Sequence, residues 1–216
     1  MIVIAIDGPA ASGKSTVAKR LAKQLGYAYV NSGSMYRAVT WEVLRQGVAA
    51  LEADSVAQAI EQASVECGFC ENGEAYISIN GNIANDVLRE EEVNLAVSAV
   101  SAVPAVRDLV SGELRTLAQE RSVVMEGRDI GSAVFPDTPY KFYLDASPEI
   151  RRKRRAAEGS SDQIEIRDRM DSSRASAPLR RTRDAIVVDT SHLALDDVVE
   201  EILRFLQSSG LDHSAQ

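Results

Sequence analysis

The stretch IVIAIDGPAASGKST, residues 2–16, decides the fold. It begins with a continuous apolar run, Ile2 to Ile6, which is typical of a short strand buried on both faces of a parallel sheet. Residues 8–15 match the pattern GxxxxGK[ST]. From Lys14 to Leu25, apolar residues recur at helical spacing, and Gly26 is a helix stop signal. A strand, a glycine-rich loop and a helix in this order predict a phosphate-binding loop.

Each part of this loop suits a nucleoside triphosphate. Small residues let the backbone curl until several N–H groups point at one phosphate, and the following helix adds its positive end. We expect Lys14 to reach the β- and γ-phosphates and the Ser15 hydroxyl to ligate Mg²⁺. The predicted triphosphate-binding residues of the loop are Gly8, Pro9, Ala10, Ala11, Ser12, Gly13, Lys14, Ser15 and Thr16, and Ser15 is the predicted metal ligand.

The rest of the chain continues an α/β pattern, with a second strand at Tyr27–Asn31 and a helix at Ser34–Gln46. Further core strands are predicted at 122–125, 140–144 and 185–188, and further helices at 54–63, 90–102, 104–121 and 195–206, with another helix starting at Ser147-Pro148. Between these lie three short strand-like runs, 65–69, 75–79 and 83–87, separated by Asn72-Gly73 and Asn80-Gly81. Asn-Gly pairs are strong hairpin signals, so we predict an inserted antiparallel subdomain over about 60–97.

Composition limits the possible classes of protein. The chain has 216 residues, of which 45% are hydrophobic and 26% charged, as in an ordinary globular domain. The net charge of −8 argues against a general nucleic-acid binder. The window 151–183 nevertheless holds eleven basic and five acidic residues, a net charge of +6, which leaves −14 for the rest of the chain. This cluster is either a local anion site or a solvated helical face; we expect Arg151 and Arg152 to be solvated charges.

Other sequence signals are weak. Cys67 and Cys70 form a CxxC pair, but His192 and His213 are the only histidines, so we expect ordinary reduced thiols rather than a metal or redox centre. The apolar run Ile2 to Ile6 is too short for a signal peptide, so we expect no targeting segment. No apolar run approaches the ~20 residues of a membrane helix, and we expect a cytoplasmic protein without membrane contact.

The motifs of two other classes of phosphate-loop protein are missing from the sequence. The NKxD and DxxG motifs of GTP-binding switches and the LSGGQ signature of ABC-type ATPases do not occur. Instead, arginines recur beyond the loop at Arg37, Arg107, Arg128 and in the 151–183 window. Because two anions must be neutralised before one phosphate can approach another, this pattern indicates phosphoryl transfer to an anionic acceptor.

Four stretches together closely resemble the bacterial cytidylate kinases: GPAASGKST (8–16), NSGSMYR (31–37), EGRDIG (126–131) with the following FPD, and RMDSSRASAPL (169–179). The resemblance covers nearly the whole chain. It implies transfer of the γ-phosphoryl group of ATP, as its Mg²⁺ complex, to CMP or dCMP. It further implies one P-loop kinase domain over 1–216, a three-layer fold with a five-stranded parallel sheet. The insertion at 60–97 would be the CMP-binding subdomain and 149–176 the lid region.

The resemblance also implies residue roles. For phosphoryl transfer it implies Lys14, Arg128 and Arg174 as catalytic residues, and for the lid over ATP it implies Arg154 and Arg155. The implied CMP-binding residues are Ser32, Tyr36, Arg37, Ser98, Arg107, Asp129, Arg167 and Asp171. Among these, Ser98, Arg107 and Asp129 would read cytosine, Arg37 would bind the acceptor phosphate, and Arg167 with Asp171 would contact the ribose. Asn31 and Ser34 depart from the family pattern, where Asp and Ala are usual, which leaves the fine acceptor preference open.

No general base is expected, since the acceptor phosphate has a second pKa of about 6 and is largely ionised at pH 7. We expect a monomer that binds no nucleic acid. Three alternative hypotheses stay open. The chain could be a small kinase with a broader UMP/CMP or a metabolite acceptor, or an NTP-dependent nucleic-acid-binding protein that uses the 151–183 arginines. The third alternative is a non-catalytic relative.

Overall fold

A computed structural model describes residues 1–83, 88, 90–157 and 164–211. The strands in chain order are β1 (Val3–Asp7), β2 (Ala28–Asn31), β3 (Val65–Phe69), β4 (Ala75–Ile79), β5 (Asn82–Ile83), β6 (Val123–Gly127), β7 (Tyr140–Asp145) and β8 (Ile186–Asp189). The helices are α1 (Lys14–Leu25), α2 (Ser32–Arg45), α3 (Ala53–Glu61), α4 (Glu91–Val100), α5 (Pro104–Glu120), α6 (Pro148–Ala157), α7 (Ile164–Ser173) and α8 (Leu195–Ser208). A single π-helical turn spans Ile130–Val134.

Five strands form a parallel sheet in the order β2-β6-β1-β7-β8. Alternate residues of a strand point to opposite faces. Val123 and Met125 accordingly pack in a core that contains α2 and α5 residues, whereas Val124 packs in a second core with α1 and α8. The predicted three-layer fold with a five-stranded parallel sheet is confirmed.

Element boundaries follow the predictions closely, with two informative differences. Helix α2 begins at Ser32, two residues before the prediction, because the Asn31 side chain accepts a hydrogen bond from the Ser34 N–H at 3.0 Å and caps the helix. Strand β6 continues two residues past its predicted end, through Glu126 and Gly127. These residues pair in register with the last two residues of β1, so the strand extends to the edge where the site lies.

The insertion contains the antiparallel sheet β3-β4-β5. The two longer predicted strands match β3 and β4; of the predicted strand 83–87, residues 84–87 lie outside the described residues. Asn80 and Gly81 both have positive φ, 51° and 75°, as the Asn-Gly hairpin signal predicts. The Asn80 amide donates to the buried Glu42 carboxylate at 2.8 Å, which fastens this hairpin to α2.

Helices α4 and α5 are joined at a bend of 99°. Over the described ranges, no single helix has the length and apolar character needed to cross a membrane, and only this bent pair passes such a test by length and composition.

The arginine-rich segment forms α6 and α7, and residues 158–163 between them lie outside the described residues. The expectation that Arg151 is solvated is wrong: its side chain is 10% exposed and pairs with Asp168. Arg152, one residue further around the helix, is exposed and pairs with Glu165, as expected for a solvated charge.

Candidate active site

The phosphate loop lies between β1 and α1, at the carboxyl edge of the sheet. Gly8 has a φ of 148°, and a Cβ at this position would collide with the carbonyl oxygen of Leu144, so the tight turn requires glycine. The Lys14 side chain folds back over the loop: its Nζ donates to the carbonyl oxygen of Pro9 at 2.6 Å and lies 3.4 Å from the Ser12 Oγ. These contacts hold the lysine side chain within the loop.

Lys14 has an unusual protonation equilibrium because it is 5% exposed. Burial, with a further contribution from the Arg128 guanidinium, lowers its pKa to about 7; the Glu126 and Asp168 carboxylates counteract the shift. A phosphate placed at the loop would favour the ammonium form, since it brings negative charge to a desolvated cation.

Glu126 was not among the predicted site residues, yet it contacts the predicted metal ligand. The Ser15 hydroxyl donates to Glu126 Oε1 at 2.5 Å, and the Tyr29 hydroxyl donates to the same oxygen at 3.1 Å. Glu126 is 4% exposed and lies near the end of β6. Its position at a strand end beside the loop was the signal that could have identified it, because ligands of open α/β sheets gather there.

Asp7 is a second residue that the sequence analysis missed. Its carboxylate accepts hydrogen bonds from the N–H groups of Ile130 and Gly131 at 2.8 and 2.7 Å. Burial raises its pKa to about 6, although these two hydrogen bonds oppose the shift. Because Asp7 directly precedes the phosphate loop, these hydrogen bonds fix the segment that follows Arg128 and Asp129 to the start of the loop.

Arg107 and Asp129, both predicted to read cytosine, form a buried ion pair; their side chains are 4% and 3% exposed. Arg107 also donates to the carbonyl oxygen of Ser101 at 3.1 Å, and its guanidinium carbon lies 5.3 Å from the centre of the Tyr36 ring. Burial raises the pKa of Asp129 above its ordinary value, while the guanidinium groups of Arg107 and Arg174 oppose the shift. The structure thus places three predicted CMP-binding residues in one contact group.

Asp171 connects two of the predicted catalytic arginines. Its Oδ2 accepts from Arg128 Nε at 3.0 Å, and its Oδ1 lies 3.2 Å from Arg174 Nη2. Asp171 is 6% exposed. Opposite charges at this separation hold the planar guanidinium groups in defined orientations, which favours forked contacts with phosphate.

The remaining predicted residues lie around this centre. Ser32 Oγ donates to the Glu126 carbonyl oxygen at 2.9 Å, and a Cβ on Gly127 would collide with that hydroxyl. Arg37 donates to the Asn94 side chain at 3.1 Å. Ser98 is buried on α4. Arg154, Arg155 and Arg167 are partly buried on α6 and α7, with Arg154 against the phosphate loop.

The departure at Asn31 has a local explanation. Besides capping α2, its amide donates to the Tyr29 hydroxyl at 3.2 Å, and this hydroxyl in turn donates to Glu126. An aspartate would keep the cap but remove this donor, so asparagine suits the hydrogen-bond chain that leads to Ser15.

Comparison with known proteins identifies the family of this chain. The cytidylate kinase family model matches residues 4–208. A cytidylate kinase of Geobacillus sp. (strain WCH70) is 42% identical over 216 aligned residues, which cover 95% of this chain and 96% of that protein. A cytidylate kinase of Nocardia farcinica (strain IFM 10152) is 41% identical over 227 aligned residues, which cover 100% and 97% of the two chains.

Two solved structures share the fold. An uncharacterized protein from Eubacterium ventriosum ATCC 27560 superposes with a TM-score of 0.54 at 16% identity, covering 96% of this chain and 98% of its own. A Thermus thermophilus protein superposes with a TM-score of 0.50 at 20% identity, covering 97% of each chain. At such identities these structures support the fold alone. The family match over nearly the whole length, with relatives above 40% identity, establishes that this chain belongs to the cytidylate kinase family.

Proposed function

We propose that this kinase transfers the γ-phosphoryl group of Mg-ATP to CMP or dCMP, with the donor at the phosphate loop and the acceptor at the Arg107–Asp129 pair. Family membership supports ATP-dependent phosphorylation of CMP. The observation that carries the placement is the grouping of Arg107, Asp129 and Tyr36 in one buried cluster, fixed to the donor loop through Asp7.

The cytosine base suits this cluster chemically. A carboxylate accepts a hydrogen bond from the exocyclic 4-amino group, while a guanidinium and the Ser98 hydroxyl donate to O2 and N3. Uracil presents a carbonyl oxygen at position 4, which would face Asp129 acceptor to acceptor. A buried polar group left unpaired in this way discriminates strongly between ligands.

Transfer itself requires alignment and charge neutralisation. Arg128 and Arg174 contact the two carboxylate oxygens of Asp171. Arg174 also interacts electrostatically with Asp129, and Arg128 with Lys14 of the phosphate loop. In this proposal Asp171 orients both arginines and, with Arg167, contacts the acceptor ribose, while Arg37 binds the acceptor phosphate. No residue needs to remove a proton, because the attacking phosphate oxygen is already ionised at neutral pH.

The residues at the loop fit magnesium as the donor's counterion. Mg²⁺ keeps several waters and takes few protein oxygens beside substrate phosphates, so it needs no cage of side chains. The Ser15 hydroxyl supplies such an oxygen, and Glu126 holds that hydroxyl in place at 2.5 Å. When bound, the ion would neutralise charge on the β- and γ-phosphates.

Replacing Glu126 with glutamine should raise the Mg²⁺ concentration for half-maximal rate by about tenfold, the usual effect of removing a partner that orients a ligand. The measurement is the initial rate of ADP formation over a Mg²⁺ titration at saturating ATP and CMP. Glu74→Gln, in an exposed pair with Lys19, is the control and should leave the titration unchanged. If Glu126→Gln needs the same Mg²⁺ concentration as the wild type for half-maximal rate, Glu126 does not orient the metal ligand.

Binding of ATP at pH 8 should take up close to one proton per site. Lys14, with its pKa lowered to about 7, is mainly neutral at pH 8, and the triphosphate favours the ammonium form. The affinity for ATP should therefore fall as the pH rises from 7 to 9. Titration calorimetry in two buffers of different ionisation enthalpy measures the uptake, and Lys14→Met should abolish it. Uptake that persists in Lys14→Met would assign the proton to another group.

The proposal as a whole is tested by measuring ADP formation with CMP and with dCMP, each with Mg²⁺ and with excess chelator. We expect turnover of both acceptors, dependent on Mg²⁺. Turnover of CMP that survives chelation would contradict the metal assignment, and absence of dCMP turnover would restrict the acceptor to the ribonucleotide.

A further inference from the structure

Three side chains contact the phosphate loop, each through a backbone carbonyl oxygen. In chain order the contacts are Arg151 Nη1 to Ala10 O at 3.1 Å, Arg154 Nη1 to Ala11 O at 3.5 Å, and Thr190 Oγ1 to Ser12 O at 2.9 Å. Arg154 and Thr190 also contact each other at 2.9 Å. We call these three residues, together with Asp168, the loop clamp.

These carbonyl contacts determine where the loop's N–H groups point. In a trans peptide the C=O and N–H of one plane point in opposite directions. Holding the carbonyls of residues 10, 11 and 12 toward these side chains therefore turns the N–H groups of Ala11, Ser12 and Gly13 away from them. Successive N–H groups directed at one point form an anion-binding concavity.

The centre of the loop clamp is the largely buried ion pair of Arg151 with Asp168, whose side chains are 10% and 15% exposed. Asp168 also accepts the Ala10 N–H at 2.9 Å, so this one residue of the loop is held at both its N–H and its carbonyl oxygen. Arg151 Nε donates further to Ala146 O at 3.2 Å. Arg151 lies on α6 and Asp168 on α7, so the pair ties both helices to the loop.

A buried ion pair gains little stability over apolar residues of the same size, because desolvation offsets the attraction. Stability alone therefore does not explain why this pair holds both backbone groups of Ala10. We propose that Arg151 and Asp168 are positioning residues of the donor site, which preset the phosphate loop for the triphosphate and couple its conformation to helices α6 and α7. Neither residue touches the reacting atoms, and the inference rests on the proposed placement of ATP at this loop.

The test separates positioning from stability with the double variant Arg151→Met/Asp168→Leu. Each single variant leaves a largely buried charge unpaired and should unfold at the lowest temperature. The double variant removes both charges and should recover part of the stability, while the hydrogen bonds to Ala10 and Ala146 stay lost. We expect the KM for ATP to stay raised by about tenfold in the double variant, while the KM for CMP changes less than about twofold. Unfolding midpoints, steady-state kinetics and ATP binding by calorimetry supply the readouts.

The chain offers a matched control. Arg152 and Glu165 join the same two helices through an exposed pair at 2.8 Å that does not involve the phosphate loop. Arg152→Gln/Glu165→Gln should leave the KM for ATP unchanged. A wild-type KM for ATP in a folded Arg151→Met/Asp168→Leu variant would overturn the proposal. An equal increase of the KM for ATP in the control variant would overturn it as well.

Thr190 gives an independent check, since it is 3% exposed and acts on the loop through its hydroxyl. Thr190→Val should raise the KM for ATP, and Thr190→Ser, which keeps the hydroxyl, should restore it. Failure of the proposed donor site would look different. If ATP does not bind at this loop, Lys14→Met keeps the wild-type affinity for ATP. If only the loop-clamp proposal is wrong, Lys14→Met binds ATP more weakly while the loop-clamp variants bind it normally.

Discussion

Replacement of Lys14 by methionine is expected to lower kcat by about 10³-fold, because it removes a charged donor that stabilises the transferring phosphoryl group. The same change should not lower stability. Lys14 is 5% exposed and burial lowers its pKa. Keeping this group charged in the folded protein therefore lowers the free energy of unfolding. Methionine has a similar length and no charge to desolvate. The variant should unfold at the wild-type temperature or above it, as is common for residues that serve activity at the expense of stability.

Single-turnover and steady-state rates with CMP, together with thermal unfolding, check this expectation. Lys19→Met is the control, because Lys19 lies on the same helix but is exposed and pairs with Glu74. It should leave the rate unchanged. A Lys14→Met rate within about fivefold of wild type would show that the loop lysine does not stabilise the transferred group.

Replacement of Asp129 by asparagine is expected to lower the ratio of kcat/KM for CMP over UMP by about 10²- to 10³-fold. The carboxylate can only accept a hydrogen bond from the base, whereas an amide can also donate one to a carbonyl oxygen. The variant also leaves the Arg107 guanidinium buried without its carboxylate partner, which should cost about 3–5 kcal/mol of stability.

The ratio of the two acceptors separates recognition from folding, because the fraction of folded enzyme cancels from it. Asp108→Asn, an exposed neighbour of Arg107 on α5, should change neither the ratio nor stability. A folded Asp129→Asn variant that keeps the wild-type ratio would show that Asp129 holds Arg107 in place but does not read the base.

Local signals in the sequence were enough to predict the elements around the phosphate loop. Helix α1 begins and ends at the predicted residues, since its start is fixed by the loop motif and its end by Gly26, which adopts φ 66°. The hairpin at Asn80-Gly81 was predictable for the same reason: the conformation depends on two adjacent residues. Both features are decided within a few positions of the chain.

Features that depend on distant parts of the chain were not predictable in this way. Arg151 and Arg152 are identical in type and adjacent, yet one is buried against Ala10, 141 positions away, and the other is exposed. Glu126 is charged, and a charged residue after an apolar run usually marks the end of a buried strand. It nevertheless belongs to β6, because its backbone pairs with β1 and its carboxylate accepts a hydrogen bond from Ser15. The resemblance named the site residues, whereas the pairing of Asp171 with both Arg128 and Arg174 required the structure.

The central claim, that the acceptor is chosen by a cytosine-reading pair opposite a donor phosphate loop, is tested most directly by competition in one vessel. The purified protein is incubated with Mg-ATP and equal concentrations of CMP, dCMP, UMP, AMP, GMP and dTMP, and the diphosphates formed are quantified by chromatography at early times. We predict that CDP and dCDP together equal the ADP released from ATP, with UDP at least about a hundredfold below CDP. Comparable yields of UDP and CDP, or no diphosphate at all, would contradict the account.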